Sequence, residues 1–167
     1  MQFNASLDRT ATAITIGVTI LLVGVNVFVS VLTVTQAEAP AWIVVFPLLV
    51  TVATVAGCYL YRPLGYVVER DRLVIKRPIG DVVIQKQEIR NAFMVDKAGL
   101  GWVFRTFGNG GVFGWTGRFS SSKLGSMTWY ATRRSHYLVI ETSSRKILLT
   151  PDDPNMLSFV TKRLLAK

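Results

Sequence analysis

Two long runs without a charged residue constrain this chain more than any other feature of its sequence. The first covers residues 11–35 and the second covers residues 42–61. A helix needs about 20 residues to cross the hydrocarbon core of a bilayer, whereas core strands rarely exceed about 8 residues. Only helices and closed barrels satisfy their own backbone in lipid, and two spans cannot close a barrel. The sequence therefore predicts a hairpin of two transmembrane helices within an N-terminal domain of residues 1–61.

The distribution of basic residues predicts how this hairpin is oriented. Of the 19 Lys and Arg residues only Arg9 precedes residue 62, and Glu38 is the single charged residue between the two runs. Because basic segments stay on the cytoplasmic side, both termini are expected in the cytoplasm. The second domain, residues 62–167, is then expected to be cytoplasmic.

A cleavable signal peptide is the alternative interpretation of the first run. The tripeptide Ala37-Glu38-Ala39 has the small-x-small pattern of a cleavage site. Against cleavage, the run is longer than a signal core of about 7–15 residues, and its leader is barely basic. Cleavage would leave the second span with the same orientation, so the C-terminal domain is expected in the cytoplasm in either case.

Small residues four positions apart, and one polar side chain, are candidates for contacts between helices. Small residues let helices approach closely, although they are also common throughout membrane helices. A mid-span amide more often bonds a neighbouring helix than a substrate, because a transport path normally contains an ionisable group. The candidate helix-contact residues are Ala13, Gly17, Asn26, Ala53 and Gly57.

Beyond residue 64 the pattern changes to short apolar segments separated by turns. Several such segments, rich in β-branched and aromatic residues and closely spaced, are typical of an all-β sandwich or barrel. The predicted strands cover residues 66–69, 73–76, 82–84, 92–95, 127–131, 137–141 and 146–150.

The end of the chain has the pattern of an amphipathic helix over about residues 154–166. Asp152 or Asp153 is suited to the N-cap position, and Pro154 is suited to the first turn. An apolar stripe at helical spacing is expected to cover the open end of the barrel. The stripe consists of Met156, Phe159, Val160 and Leu164.

Seven strands followed by one C-terminal helix are the layout of a pleckstrin-homology (PH) domain, and the residues extend this likeness. The glycine-rich run RTFGNGGVFGWTGRF at residues 105–119 resembles the signature of a bacterial PH domain family. The segments Leu124-Gly125, Tyr130-Ala131-Thr132 and Thr150-Pro151-Asp152-Asp153-Pro154 resemble it too. The resemblance covers roughly residues 62–165, and the family often carries membrane spans before the domain.

The resemblance implies a fold and a location. The expected fold is a two-helix membrane hairpin followed by a mainly-β PH-like barrel or sandwich of about seven strands, capped by a C-terminal helix. The expected location is a bacterial inner or plasma membrane. No reaction, ligand or catalytic residue comes with the resemblance.

Residues 99–119 contain seven of the 13 glycines, interleaved with aromatic residues. No G-x-G-x-x-G spacing and no Gly-Lys-Ser/Thr sequence is present, so this segment does not match a dinucleotide or phosphate loop. It is interpreted as a loop whose glycines form tight turns while its aromatic residues return to the core. A loop that faces a membrane or a partner is the alternative. Trp102 is expected to be buried and Trp115 to be exposed at a turn.

Basic residues cluster in the first predicted hairpin and around the glycine-rich segment. Eukaryotic PH domains bind phosphoinositides near their first strand pair, so the resemblance suggests lipid binding here, although the spacing departs from that motif. Positive-inside charge on a solvated face explains the same residues without a ligand. The candidate contacts for an anionic surface, lipid or partner are Arg70, Arg72, Lys76, Arg77, Lys86, Arg105, Trp115, Arg118 and Lys123.

No pattern in the sequence predicts catalysis. His136 is the single histidine and begins a predicted strand, and Cys58 is the single cysteine, with no base beside it. No catalytic residue, cofactor or metal site is expected, and the net charge of +9 comes without a nucleic-acid-binding signature. The predicted function is therefore a membrane-anchored binding or scaffolding module that contacts anionic lipid, a protein partner or a second copy of itself. The alternative is an accessory or assembly subunit of a larger membrane complex.

Overall fold

The computed structural model describes residues 1–35 and 40–166, so the tripeptide Ala37-Glu38-Ala39 lies outside the described residues. Two long helices precede most of a β domain. The first elements are β1 (Gln2–Asn4), α1 (Arg9–Val34), α2 (Trp42–Leu60), β2 (Gly65–Val68), β3 (Arg72–Lys76), β4 (Val82–Gln85) and β5 (Ile89–Val95). They are followed by α3 (Lys97–Leu100), β6 (Val103–Gly111), β7 (Gly114–Ser121), β8 (Gly125–Ala131), β9 (Tyr137–Thr142), β10 (Lys146–Leu149) and α4 (Met156–Val160), which continues as π-helical turns over Thr161–Leu165.

Helices α1 and α2 are long and apolar enough to cross a membrane by length and composition. The most apolar stretch of each contains no residue buried inside the protein, unlike the core helix of a soluble domain. Between the helices, Nδ2 of Asn26 donates a 2.9 Å hydrogen bond to Oγ1 of Thr51. Ala13, Gly17 and Ala53 are exposed and thus face away from this contact.

The strands form two sheets. The first has the order β1-β2-β3-β4, and the second has the order β5-β9-β10-β8-β7-β6. All neighbouring strands are antiparallel except β8 and β10, which are parallel. Strand β1, which the sequence did not predict, precedes α1 but pairs with β2, which follows α2. The helical hairpin is therefore inserted between two adjacent antiparallel strands.

The main core lies between the two sheets and is closed by α4. Alternate residues of the strands that bound it point into it, as the period of two along a strand requires, whereas the apolar residues of β6 and β7 that are buried or half-buried belong to a second cluster. Phe3 of β1 joins this core and packs against Phe159, with ring centroids 5.6 Å apart. The fully buried members include Tyr66, Leu73, Ile75, Leu138, Ile140, Ile147, Leu149, Met156 and Val160.

The prediction that residues 99–119 form a loop is wrong, because most of this segment forms the long hairpin of β6 and β7. Glycine is usually unfavourable in strands, but here the backbone requires it. Gly108 lies opposite Gly117, with φ values of 110° and 127°. A Cβ on either residue would overlap a carbonyl oxygen of the opposite strand. The glycines thus let two strands pair in a conformation that other residues rarely adopt.

The C-terminal helix begins at Met156, two residues later than predicted. Asp152 does not cap it, because its carboxylate accepts hydrogen bonds from the backbone and side chain of Ser6 and pairs with Arg133. Asp153 accepts a 2.9 Å hydrogen bond from the backbone of Asn155. The Asp153 carboxylate therefore stabilises the turn before the helix, and the Asp152 carboxylate connects that segment to Ser6 near the N-terminus.

Candidate functional site

The tip of the β6–β7 hairpin contacts both long helices. The backbone N–H of Phe113 donates a 2.8 Å hydrogen bond to Oγ1 of Thr15 on α1. The ring of Phe113 meets the ring of Tyr59 on α2 edge to face, with centroids 5.5 Å apart. Gly111 lies so close to Ile14 that a Cβ there would be 2.9 Å from Cγ2 of Ile14. The hairpin is thereby held against the start of α1 and the end of α2.

Two guanidinium groups lie over aromatic rings at the junction between the β6–β7 hairpin and the two long helices. The guanidinium of Arg62 is 4.4 Å from the centroid of Tyr59 and 5.7 Å from that of Phe113. Within the described residues the buried Nε of Arg62 has no hydrogen-bond partner. The guanidinium of Arg77 is 5.3 Å from the centroid of Tyr61 and 5.9 Å from that of Tyr130. Cations over aromatic faces are stabilised by the ring quadrupole.

A mainly apolar cleft of about 350 Å³ separates the end of α2 from the β6–β7 hairpin. Arg77 is the one charged side chain among the described residues that line it. Gly108 and Gly117 leave that part of its wall without side chains. The other lining residues are Gly57, Cys58, Tyr61, Phe107, Asn109, Thr116 and Tyr130. Such a cleft can accept an apolar segment whose anionic group pairs with the Arg77 guanidinium.

Several predicted contact residues are engaged within the protein. The guanidinium of Arg77 itself donates from Nε to the carbonyl of Gly80 at 2.7 Å and from Nη2 to the same oxygen, which leaves Nη1 for a ligand. Arg72 pairs with Glu69 at 2.5 Å, and Lys76 pairs with Asp81 at 2.5 Å. The hydrogen bond from Lys76 holds the pKa of the Asp81 carboxyl below its ordinary value, and the hydrogen bond to Glu69 raises the pKa of Arg72. Because these charges already have partners, they are less available to a ligand.

The remaining predicted cations are spread over the domain. Nζ of Lys86 donates to the carbonyls of Arg163 and Ala166 near the C-terminus, at 3.2 and 3.1 Å. Nζ of Lys123 donates to the carbonyl of Ala98 at 2.9 Å. Arg70, Arg105 and Arg118 are exposed. Among the predicted contact residues, the structure thus brings Arg77 and none of the others to the wall of the cleft.

The predictions that Trp102 is buried and Trp115 is exposed are both wrong, because the structure shows the reverse. Trp115 is 5% exposed and Trp102 is 87% exposed. Trp115 lies on β7 opposite Ala131, and the guanidinium of Arg134 is 5.6 Å from its ring. Trp102 follows Gly101, which has a φ of 68°, and precedes β6 at the edge of the second sheet. The turn that exposes a tryptophan side chain is therefore the one at Gly101, before Trp102, and not the one at Gly114, before Trp115.

The sequence did not identify Arg62, Tyr61, Phe113 and Tyr130 as neighbours in one site. Arg62 is the first basic residue after the second apolar run, and that position was the available signal. Phe113 and Tyr130 reach the junction through pairing of distant strands, which local patterns do not contain. Within residues 1–35 and 40–166, no group of three His, Cys, Asp or Glu side chains could hold a metal ion.

The comparisons with known proteins identify the β domain. A family model described as "Bacterial PH domain" matches residues 64–164, from the residue before β2 into the last turn of the C-terminal helical segment. This match covers more than half of the 167 residues. Comparison with curated proteins and comparison with solved structures found no match.

Proposed function

Because the chain belongs to the bacterial PH domain family, we propose that it is a binding module anchored in a bacterial membrane by α1 and α2. In this proposal the helices cross the membrane as a hairpin and the domain lies in the cytoplasm. The pairing of β1 with β2 supports the hairpin, because both of its ends must lie on the side where these strands meet. The basic residues beyond residue 61 support the cytoplasmic side.

Reporter fusions test this topology. A reporter that is active only outside the cytoplasm should be active when inserted at residue 38 and inactive when fused to the C-terminus. A reporter that is active only in the cytoplasm should give the opposite result. A C-terminus outside the cytoplasm would contradict the proposal. Signal cleavage near residues 37–39 would remove Phe3 from the core, so an N-terminal tag should remain on the mature protein.

The proposed ligand of the cleft is an anionic lipid headgroup together with the start of its apolar chains. The observation that supports this is the position of Arg77, which is the one cation among the described residues on a mainly apolar wall beside the end of α2. The end of a membrane-spanning helix lies at headgroup level, where the cleft would open to lipid. Arg62 adds a second guanidinium to the same junction, and its Nε has no partner among the described residues.

Native mass spectrometry of the full-length protein tests the lipid. The full chain is needed because a domain starting at residue 62 would lack β1 and Phe3. The protein, released from a neutral detergent, is compared after equilibration with phosphatidylglycerol and with phosphatidylcholine. We expect preferential retention of the anionic lipid and a loss of about tenfold in Arg77→Gln, since a charge-assisted hydrogen bond contributes about 1.5–3 kcal/mol.

The matched control is Arg145→Gln, which removes the same charge from the exposed turn between β9 and β10. It should retain the anionic lipid as the unmodified protein does. Equal retention of both lipids, or an equal loss in the two variants, would show that general charge and not the cleft accounts for binding.

A subunit of a larger membrane complex is the second candidate function. Two surfaces favour it: the small residues Ala13, Gly17 and Ala53 face away from the α1–α2 contact, and edge strand β6 exposes Phe104 and Phe107. Purification in a mild detergent would reveal a stoichiometric protein partner or a homo-oligomer. A monomer that carries only lipid would exclude this candidate.

A further inference from the structure

The second sheet carries a cluster of aromatic residues on the face turned away from the first sheet. Trp115 and Phe119 lie on β7, Trp129 on β8 and Tyr137 on β9, and all four are buried. The rings of Phe119 and Trp129 are stacked with centroids 4.5 Å apart, and the centroid of Tyr137 is 5.9 Å from that of Trp129. This cluster is separate from the core that closes the PH fold.

The aromatic cluster is covered by residues of several elements, and a cavity lies beside it. Leu100 of α3 and Ala11 of α1 pack against the cluster. A cavity of about 460 Å³ lies between Leu100, β6 and the cluster, and all four rings line it. Pockets that bind small molecules usually measure about 300–1,000 Å³, so this volume is sufficient for a ligand of modest size.

The cavity is lined by cations as well as rings. Lys97, Arg105 and Arg134 contribute to its wall, and among the described residues that line it none is acidic. Within residues 1–35 and 40–166 none of these three cations forms an ion pair, in contrast to Arg72, Lys76, Arg133 and Lys146. The guanidinium of Arg134 also lies 5.6 Å from the ring of Trp115. The carboxylate of Asp8 lies beside the site, where it accepts a 2.9 Å hydrogen bond from the backbone N–H of Arg134, but within the described residues it forms no ion pair with the three cationic side chains.

A second observation concerns the indole of Trp129. Trp129 is 4% exposed, and its indole N–H has no hydrogen-bond partner among the described residues. A buried donor without an acceptor is unfavourable, and most such groups in proteins are satisfied. Trp129 also lines the cavity, so its indole resonance can report a ligand that binds there.

We propose that this cavity binds a small organic anion with a planar aromatic ring and one carboxylate. The ring can stack on the exposed Trp102, which also lines the cavity, and meet the edges of the buried rings. The carboxylate matches the guanidinium groups of Arg105 and Arg134, and its oxygens accept hydrogen bonds from them. The site is distinct from the lipid cleft, because the two share no lining residue.

Indole N–H resonances in a ¹H–¹⁵N spectrum of the full-length protein in neutral detergent provide the test. The probe is 2-naphthoate, and the matched neutral probe is 2-naphthylmethanol. We expect 2-naphthoate to shift the Trp129 and Trp115 resonances saturably, while the neutral probe binds about tenfold more weakly. Trp129→Phe assigns the Trp129 resonance and keeps an aromatic ring in place.

Two charge variants distinguish binding in this cavity from general attraction of the anion to the positive charge of the protein. Arg134→Gln should weaken 2-naphthoate binding about tenfold, while Arg118→Gln, on the opposite face of β7, should leave it unchanged. Both residues are exposed, so both variants are expected to fold. The proposal is overturned if the Trp129 resonance does not move, if the two variants bind alike, or if only Trp42 on the apolar hairpin responds. It is also overturned if phosphatidylglycerol or an acidic peptide moves the same resonances at lower concentration.

Discussion

The backbone N–H of Phe113 donates a 2.8 Å hydrogen bond to Oγ1 of Thr15, and this bond joins the tip of the β6–β7 hairpin to the second turn of α1. The same hydroxyl donates at 2.7 Å to the carbonyl of Ala11 within the helix, so it acts as acceptor and donor at once. Phe113 has a φ of 57°, which aims its N–H and ring at the two helices from a tight turn. The β domain and the helical hairpin are thus connected by a specific contact as well as by the chain.

Thr15→Val should loosen this contact. Valine keeps the shape of the side chain but leaves the Phe113 N–H without an acceptor, which costs about 1–3 kcal/mol. We expect a lower melting temperature and faster hydrogen exchange at residues 111–114. Thr19→Val is the control, because among the described residues Oγ1 of Thr19 bonds only the carbonyl of Thr15 in its own helix. Equal effects of the two variants would mean that the tip is not held by Thr15.

Phe3→Ala should destabilise the β domain although Phe3 precedes both long helices. Phe3 is 4% exposed in the core between the sheets, and large-to-small changes there cost about 3–5 kcal/mol. Thermal unfolding of the full chain in detergent would measure the loss. Gln2→Ala, at an exposed position of the same strand, should change stability by less than about 0.5 kcal/mol. A melting temperature that is unchanged in Phe3→Ala would show that β1 does not contribute to the fold.

Gly117→Ala should disrupt the β6–β7 pairing. Its φ of 127° is rare for a residue with a Cβ, and that Cβ would overlap the carbonyl of Phe107 on the opposite strand. Gly125→Ala is the matched substitution, since its φ is 74° but no atom lies within 4 Å of the added Cβ. The control should cost about 1–2 kcal/mol from backbone strain alone, and Gly117→Ala should cost clearly more. Thermal melts compare them, and equal losses would exclude the close approach as the reason for glycine.

The family and the fold class predicted from the sequence are confirmed by the family match and the structure. They were predictable because long uncharged runs and alternating apolar segments are strong local signals. Strand β1 was missed because three residues are too few for a period, and its strand conformation depends on pairing with β2. Strands β6 and β7 were missed because their glycine content argues against a strand unless positive φ values are known.

The candidate site was less predictable than the fold. Arg77 could be named from its place among the first basic residues, but its position against Tyr61 and Tyr130 depends on residues far apart in the sequence. The charges of Arg72 and Lys76 looked equally available until the structure showed their partners Glu69 and Asp81. Composition reveals how many cations a chain has, and only the fold reveals which of them are unpaired.

Stability should fall at alkaline pH in part because of Tyr66. Burial, above all, raises the pKa of Tyr66 to about 12, and its hydroxyl donates a 2.6 Å hydrogen bond to the carbonyl of Tyr130. The folded protein therefore keeps this proton while the unfolded chain loses it near pH 10. Stability is fully present below about pH 10 and declines as the pH rises towards 12, by about 2–3 kcal/mol in total.

Ultraviolet titration of the phenols, paired with denaturant unfolding at each pH, measures this decline. Tyr66→Phe should remove the late-titrating phenol and flatten this part of the pH profile. It should also lower stability at neutral pH, because the backbone N–H of Thr150 loses its acceptor at 3.2 Å. A Tyr66 phenol that titrates near pH 10 in the folded protein would contradict the prediction.

Trp115→Ala and Trp102→Ala should separate a structural ring from an exposed one. Trp115 is 5% exposed, so its removal leaves a cavity and should cost about 3–5 kcal/mol. Trp102 is 87% exposed, so its removal should change the free energy of unfolding by less than about 0.5 kcal/mol. A domain of this size is stabilised by about 5–15 kcal/mol in total, so the first variant should melt early while the second melts normally. Any loss of partner or ligand binding in Trp102→Ala would then reflect a lost surface contact. Similar melting temperatures for the two variants would show that Trp115 is not part of the packed aromatic cluster.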